Sequence, residues 1–309
     1  METHSLRGCL DLHTHSTCSD GTDSPAVLIQ KAAAIGLSGV ALTDHDTAKG
    51  IDEFMAAAGE YPTLTAIPGV EISSRYQTRE LHILGLFIDP DNRTFKQFLL
   101  NARDERLLRA EAISIKLKAL GYPVDLDAML AGPQGDSIGR PHFATKLRDD
   151  YEFSSLGEVF DQLLRRGAPA YVPRHLPDPF AGIEAIHAAG GIASWAHPIY
   201  RAYRERSWAR QVLKRLVPAG LDAVEGYYSA FTPCQSEIMT SLASEFGIGV
   251  SGGSDYHGTC HENIELGSGA GDLRVPGTLL EDLRRRHEQK KNLVTICVPG
   301  QPSSGVITP

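Results

Sequence analysis

Histidines and carboxylates in this chain come in small groups, and each group stands at or just after the end of a short apolar run. The first group is Asp11-Leu12-His13-Thr14-His15-Ser16-Thr17-Cys18-Ser19-Asp20-Gly21, and its counterpart near the other end is Gly252-Gly253-Ser254-Asp255-Tyr256-His257-Gly258. Between them lie Thr43-Asp44-His45-Asp46, Val70-Glu71, Leu81-His82 and Ala196-His197-Pro198. Imidazole nitrogens and carboxylate oxygens are donors that divalent metal ions take, and no single segment can surround an ion. Taken one at a time, each group has a structural reading. His-x-His puts two rings on one face of a strand, Asp20 and Asp46 suit turns or helix entry, Glu71 can pair with Arg75 or Arg79, and His82 can be a hydrogen-bonded core residue. Six such groups at strand ends say more, because donors distant in sequence then converge. The chemistry is that of a multinuclear metalloenzyme.

Strands must deliver those donors. Residues 8–13, 39–43, 64–70 and 81–87 read as strands, alternating with helices over 24–35 and 48–61. Ser24-Pro25 signals a helix start and Gly36 its stop. Alternation resumes with helices over 178–189, 207–217, 233–246 and 277–289 and strands over 192–196, 221–225, 248–251 and 293–298. Near-continuous apolar strands between helices favour a parallel sheet. In a β/α barrel the C-terminal ends of the strands share one face, where active sites form. The rhythm breaks over 95–173, where a long helix rich in Leu, Arg and Ala (95–120) precedes short helices and loops. The expected organisation is α/β: a barrel formed by 1–94 and 174–309, with 95–173 as an inserted helical subdomain.

Composition narrows the partners. The 309 residues, 42% hydrophobic and 22% charged, suit a soluble globular protein with room for one large barrel. A formal net charge of −8 argues against long nucleic acid or an anionic membrane. Cys9, Cys18, Cys234, Cys260 and Cys297 are odd in number and contain no C-x-x-C pair, so they read as reduced thiols. Glu2 and the lack of a long apolar stretch exclude a signal peptide or a spanning helix, which makes the expected location cytoplasmic.

The motifs H-x-H-S-x-x-S-D-G, T-D-H-D, G-x-E, L-H-x-L-G, A-H-P and G-S-D-x-H-G follow one another from residue 13 to residue 258. This series resembles the PHP family, the polymerase-and-histidinol-phosphatase metal-dependent phosphoesterases. The resemblance implies a distorted, roughly seven-stranded β/α barrel, and residues 95–173 resemble the helical insert of its 3′,5′-nucleoside bisphosphate and AMP phosphatase branch. It further implies three divalent ions: one on His13, His15, Glu71 and Asp255, a second on Glu71, His82 and His197, and a third on Asp20, His45 and His257. Asp20 stands where many members carry His, and the harder donor favours Mn²⁺ over Zn²⁺ or Fe²⁺. Asp44 and Asp46 would support ligands or cap helices, and Glu225-Gly226-Tyr227-Tyr228 would line the pocket. Gly139-Arg140-Pro141-His142 and Tyr171-Val172-Pro173-Arg174-His175 resemble the family's phosphate-facing segments. Arg140 and Arg174 would grip phosphate, and His142 would protonate a leaving oxygen.

The implied activity is hydrolysis of a terminal phosphate from a small phosphorylated substrate, first a nucleotide such as a nucleoside 3′,5′-bisphosphate or monophosphate. Neighbouring ions that acidify a shared water make a protein nucleophile unnecessary. The alternatives are a 5′-to-3′ exonuclease on short oligonucleotides and a histidinol phosphatase. A catalytically inactive regulatory PHP module would lack ligands, whereas every ligand position here is filled.

Overall fold

Ser24, Asp178 and Thr232 each precede a proline, and each begins a helix in the same way. Their side-chain oxygens accept from the backbone N–H of Val27, Ala181 and Gln235, while the proline occupies the first turn, where its missing N–H costs nothing. The computed structural model describes residues 6–132, 135–199, 206–260 and 263–296. In chain order the elements begin with β1 (Cys9–Asp11), α1 (Pro25–Ala34), β2 (Gly39–Leu42), α2 (Ile51–Ala58), β3 (Thr65–Tyr76) and β4 (Arg79–Leu86). Then come α3 (Arg93–Ala119), α4 (Leu126–Leu130), α5 (Arg140–Asp150), α6 (Leu156–Val159) and a π-helical turn over Phe160–Leu164. The remainder is α7 (Pro179–Ala188), β5 (Ile192–Trp195), α8 (Arg206–Leu216), β6 (Ala223–Tyr228), α9 (Pro233–Phe246), β7 (Gly249–Gly253), β8 (Val275–Pro276) and α10 (Thr278–Ile296).

Eight strands form one sheet in the order β7-β6-β5-β4-β3-β2-β1-β8. The runs β1–β2–β3 and β5–β6–β7 are parallel, while β4 is antiparallel to both β3 and β5. Closure comes just past β1 and β7. Leu12 N–H donates to the Gly252 carbonyl (3.0 Å), Asp255 N–H to His13 (2.9 Å) and His15 N–H to Tyr256 (2.8 Å). The result is the expected distorted β/α barrel, with eight strands where about seven were expected. The additional strand, β8, is only two residues long and runs antiparallel to β1.

Two sequence expectations need correction. The runs at 64–70 and 81–87 are not separate parallel strands: β3 continues to Tyr76 and turns directly into β4, pairing Glu71 with Leu84 and Ser73 with His82. The turn uses Gln77 at φ 56°, with no Gly, Pro or Asn to announce it. Nor do residues 293–296 start a strand, because α10 runs through them to Ile296. No glycine or proline falls between Gln289 and Ile296, so nothing stops the helix there. Cys297 and Val298 lie outside the described residues.

The apolar faces divide by position. Leu10, Leu12, Ala41, Ile67, Leu86, Ile192, Ala223 and Val275 form one buried cluster with Leu283 of α10. Val40, Leu42, Val70, Ile72 and Val224 pack instead against helices through residues such as Leu28, Phe54, Ile186 and Leu213. From α3 to the π turn the chain has its own cluster, with Ile113, Leu117, Phe143, Leu147 and Leu164 fully buried. No helix among the described residues is long and apolar enough to cross a membrane.

Candidate metal centre

Every one of the nine expected donors reaches one region at the strand ends. Glu71, fully buried on β3, lies at its middle and divides it between its two oxygens. Oε1 is 3.3 Å from His13 Nε2, 2.8 Å from His82 Nδ1 and 3.2 Å from His197 Nε2. Oε2 is 2.8 Å from His45 Nδ1 and 3.3 Å from His15 Nε2. Asp255 Oδ1 stands 3.3 Å from the Nε2 atoms of both His13 and His15. On the far side, Asp20 is 3.3 Å from His257 Nε2, 3.8 Å from His45 Nε2 and 3.9 Å from His15 Nδ1.

These atoms form four overlapping groups, within each of which all donors lie inside 4.8 Å: His15–Asp20–His45–His257, His13–Glu71–His197, His13–His15–Asp255 and His45–Glu71–His82. His15 thus also approaches the Asp20 group, which the sequence pattern does not reveal.

A test of fit comes from unsatisfied atoms. His13 Nε2, His15 Nε2, Asp20 Oδ1, His45 Nδ1 and Glu71 Oε2 are all buried without a hydrogen-bond partner. One such atom costs about 1–3 kcal/mol, and five of them spread over adjoining donor groups call for partners between them. Metal ions would supply them, since each atom presents a lone pair or can do so after losing a proton. The carboxylates are ready for that role. Burial alone would raise Glu71, but His45, His82 and His13 hold it well below the usual range; Asp255 and Asp20 are likewise depressed, against burial, by His13 and His45 respectively. The imidazoles respond unequally to the same crowding. Burial and His257 push His15 down to about 3, whereas Glu71 overcomes burial to push His82 up to about 10.

A ring of acids outside the donors fixes their aim. Glu225, fully buried, lies 3.1 Å from His13 Nδ1 through one oxygen and accepts from His197 N–H through the other (2.7 Å). Asp11 accepts from Ser254 N–H (2.8 Å), Ser254 Oγ (2.5 Å) and Gly267 N–H (2.7 Å), anchoring the loop that carries Asp255. Asp44 does the same for the Asp20 loop, accepting from Ser16 N–H (2.7 Å), Ser16 Oγ (2.6 Å) and Ser19 Oγ (2.5 Å). Such contacts orient ligands and tune their basicity.

Asp46 does not cap α2, whose first position follows Gly50 without a side-chain bond. It binds Ser73 N–H (2.8 Å), Arg106 of α3 (2.5 Å) and Arg174. Asp46, His197 and Asp255 all have positive φ, at 53°, 32° and 58°. Side chains other than glycine rarely accept this geometry, and here it is imposed by neighbours at the site. Gly253 has its own steric reason, since a Cβ there would run into His13.

The expected substrate residues sit further out. Arg174 pairs with Asp46 and lies 3.8 Å from Glu80. Arg140, near the rings of Phe160 and Tyr171, donates to the Leu164 carbonyl at 3.4 Å. His142 accepts from Gly139 N–H at Nδ1 (3.0 Å) and meets the Ser19 carbonyl at Nε2 (3.0 Å). None of the three lines the cavity of about 450 Å³ beside the donors. That cavity is walled by Asp20, His45, Glu71, His82, His197, Asp255 and His257, and then by Arg79, Glu80, Trp195, Trp208 and Tyr228. Sequence reasoning missed Glu80 and Trp208, because nothing in their local pattern marks them, and read Arg79 only as a possible partner of Glu71. It also missed Arg106, whose only signal is a charge within a helical stretch, and it gave Asp11 no role although that residue opens the first donor group.

Comparison with known proteins gives this geometry a family. Residues 11–122 match the PHP domain. A 5′-3′ exoribonuclease of Haemophilus influenzae is 38% identical over 83% of this chain and 92% of its own. A 3′,5′-nucleoside bisphosphate phosphatase of Chromobacterium violaceum is 32% identical over 80% of this chain and 87% of its own. Among solved structures, a candidate metal-dependent phosphoesterase from Bifidobacterium adolescentis superposes with a TM-score of 0.77 at 28% identity, covering 90% of this chain and 96% of that one. A barrel of this shape, and relatives this similar over most of both chains, make the protein a member of the PHP family: a metal-dependent phosphoesterase and a hydrolase.

Proposed function

We propose that the chain hydrolyses the phosphate ester at the 3′-oxygen of a nucleotide that carries a 5′-phosphate. A nucleoside 3′,5′-bisphosphate would release inorganic phosphate, and a short 5′-phosphorylated RNA would release a nucleoside 5′-monophosphate. One bond is broken in both reactions, which reconciles the exoribonuclease and the bisphosphate phosphatase among the relatives. The observation that carries the reading is the convergence of unsatisfied donors on Glu71 at one end of a nucleotide-sized cavity.

In this reading His13, His15, Glu71 and Asp255 hold one ion, Glu71, His82 and His197 a second, and Asp20, His45 and His257 a third, with Mn²⁺ favoured. When bound, the ions supply Lewis acidity to phosphate oxygens and lower the pKa of water. The protein's own groups do the rest. Glu225 keeps His13 and the His197 backbone in place, and the Tyr228 hydroxyl donates to Asp255 Oδ2 (3.0 Å), fixing that carboxylate. Since the Ser19 carbonyl can only accept, His142 carries its proton on Nε2. This supports a role in positioning the Asp20 loop rather than in protonating a leaving oxygen. Arg140 and Arg174, which lie outside the cavity's lining, are assigned to the phosphate that does not react, which then extends beyond the cavity. Crowding supports this: burial, with Arg140 and Arg174 close by, pushes the Arg109 guanidinium down to about 10, and an anion would relieve that repulsion.

Product analysis tests the reading. With Mn²⁺, adenosine 3′,5′-bisphosphate should yield the 5′-monophosphate, and a 5′-phosphorylated trinucleotide should lose nucleotides from its 5′ end. The matching 5′-hydroxyl RNA should be cleaved roughly 10- to 150-fold less efficiently, the worth of one charge-assisted contact. Release of adenosine from the 5′-monophosphate at comparable rates would contradict the assignment.

A further inference from the structure

One part of the cavity wall is aromatic. His197 and Tyr228 rings lie 5.4 Å apart, and Tyr228 meets Phe231 edge-on at 5.3 Å. Trp195, fully buried at the end of β5, supports Trp208 of α8 in an edge-on contact at 5.5 Å. Over the Trp208 ring lies the guanidinium of Arg79, 4.4 Å from the centroid. Arg79 comes from the exposed start of β4, more than a hundred residues away in sequence, yet it shares the cavity with Trp208 and with the donors His82 and His197.

A phosphate site would draw several donors toward one point. Here a guanidinium sits over the ring of an indole instead, and that indole meets a second one edge-on. Flat guanidinium and aromatic surfaces stack on nucleobases, and they do so with little regard for which base is present. Resting on the nucleotide reading above, we propose that Arg79 and Trp208 form the platform for the base of the nucleotide whose 3′-ester is broken. The metal end of the cavity then takes the reacting phosphate, and the platform sets how the sugar between them presents its 3′-oxygen. Because stacking is indifferent to base identity, successive nucleotides of any sequence would be accepted. An enzyme that shortens RNA one residue at a time requires that tolerance.

The test compares a short 5′-phosphorylated RNA with the same RNA carrying an abasic first position, using the Mn²⁺-loaded enzyme. In the wild type, kcat/KM should favour the intact RNA by roughly 5- to 150-fold, the range supplied by one base stack. In Arg79→Ala and Trp208→Leu that ratio should collapse toward one, mainly through KM, and Trp208→Phe should restore most of it. Arg79 is exposed, so its variant keeps the question answerable if the Trp208 variants fold poorly. Adenosine, which carries no phosphate, should quench tryptophan fluorescence in the wild type and do so less in Arg79→Ala. An unchanged ratio in Arg79→Ala, or no preference in the wild type, would overturn the platform while leaving the nucleotide reading intact. Failure of the wild type to cleave either RNA would overturn both.

Discussion

Glu71→Gln should lower kcat/KM by at least about 10³-fold, the scale of several kcal/mol of lost Lewis-acid stabilisation. The substitution keeps the shape of the side chain and removes its charge. The cost is concentrated because Oε1 faces His13, His82 and His197 while Oε2 faces His15 and His45. Glu71 thus faces five of the candidate donors at once, through both of its oxygens. Metal analysis of the purified variant should therefore show a loss spread over more than one ion. A variant with full metal content and normal turnover would remove Glu71 from the centre of the mechanism.

The second large effect concerns stability. Asp46→Asn should destabilise the fold by about 3–5 kcal/mol, as expected when one partner of a buried ion pair is removed. Asp46 is 1% exposed and its two guanidinium partners, Arg106 and Arg174, are each 10% exposed. Those two arginines repel one another once the carboxylate is gone. Burial would raise Asp46, yet Arg174 and Arg106 hold it well below the usual carboxylate range. Asparagine tolerates the φ of 53° at this position, so the measurement reports charge rather than backbone strain. Denaturant unfolding should be followed with the metals chelated, because ions bound to the native state alone would mask the loss. A change below about 1 kcal/mol would mean that water already screens the pair.

The candidate donors were legible in the sequence because metal donors need both a residue type and a place, and apolar strands ending in His, Asp or Glu supply both. His13, His45, Glu71, His197 and Asp255 follow that rule. His82 was harder, since it sits within β4 rather than at its end, and the antiparallel pairing that brings it opposite Ser73 depends on an unmarked turn at Gln77. What stayed hidden is what acts across distance. Glu225 could be placed at a strand end, but its link to His13 spans 212 residues. The Asp46–Arg106–Arg174 cluster joins the loop after β2, α3 and the segment before α7, and no local pattern encodes it. The Arg79–Trp208 stack is hidden for the same reason. Helix ends were clear wherever a cap and a proline coincided. The end of α10 was misread because an uninterrupted helix and a terminal apolar strand look alike over a few residues.

The central claim is that the buried donors around Glu71 form a loaded metal centre that breaks a phosphate ester. Titrating metal-stripped protein with Mn²⁺ while following phosphate release from adenosine 3′,5′-bisphosphate tests it most directly. The account predicts no turnover in the stripped protein and recovery that saturates only after more than one ion per chain has bound. Turnover at the untreated rate after complete removal of metal would contradict it.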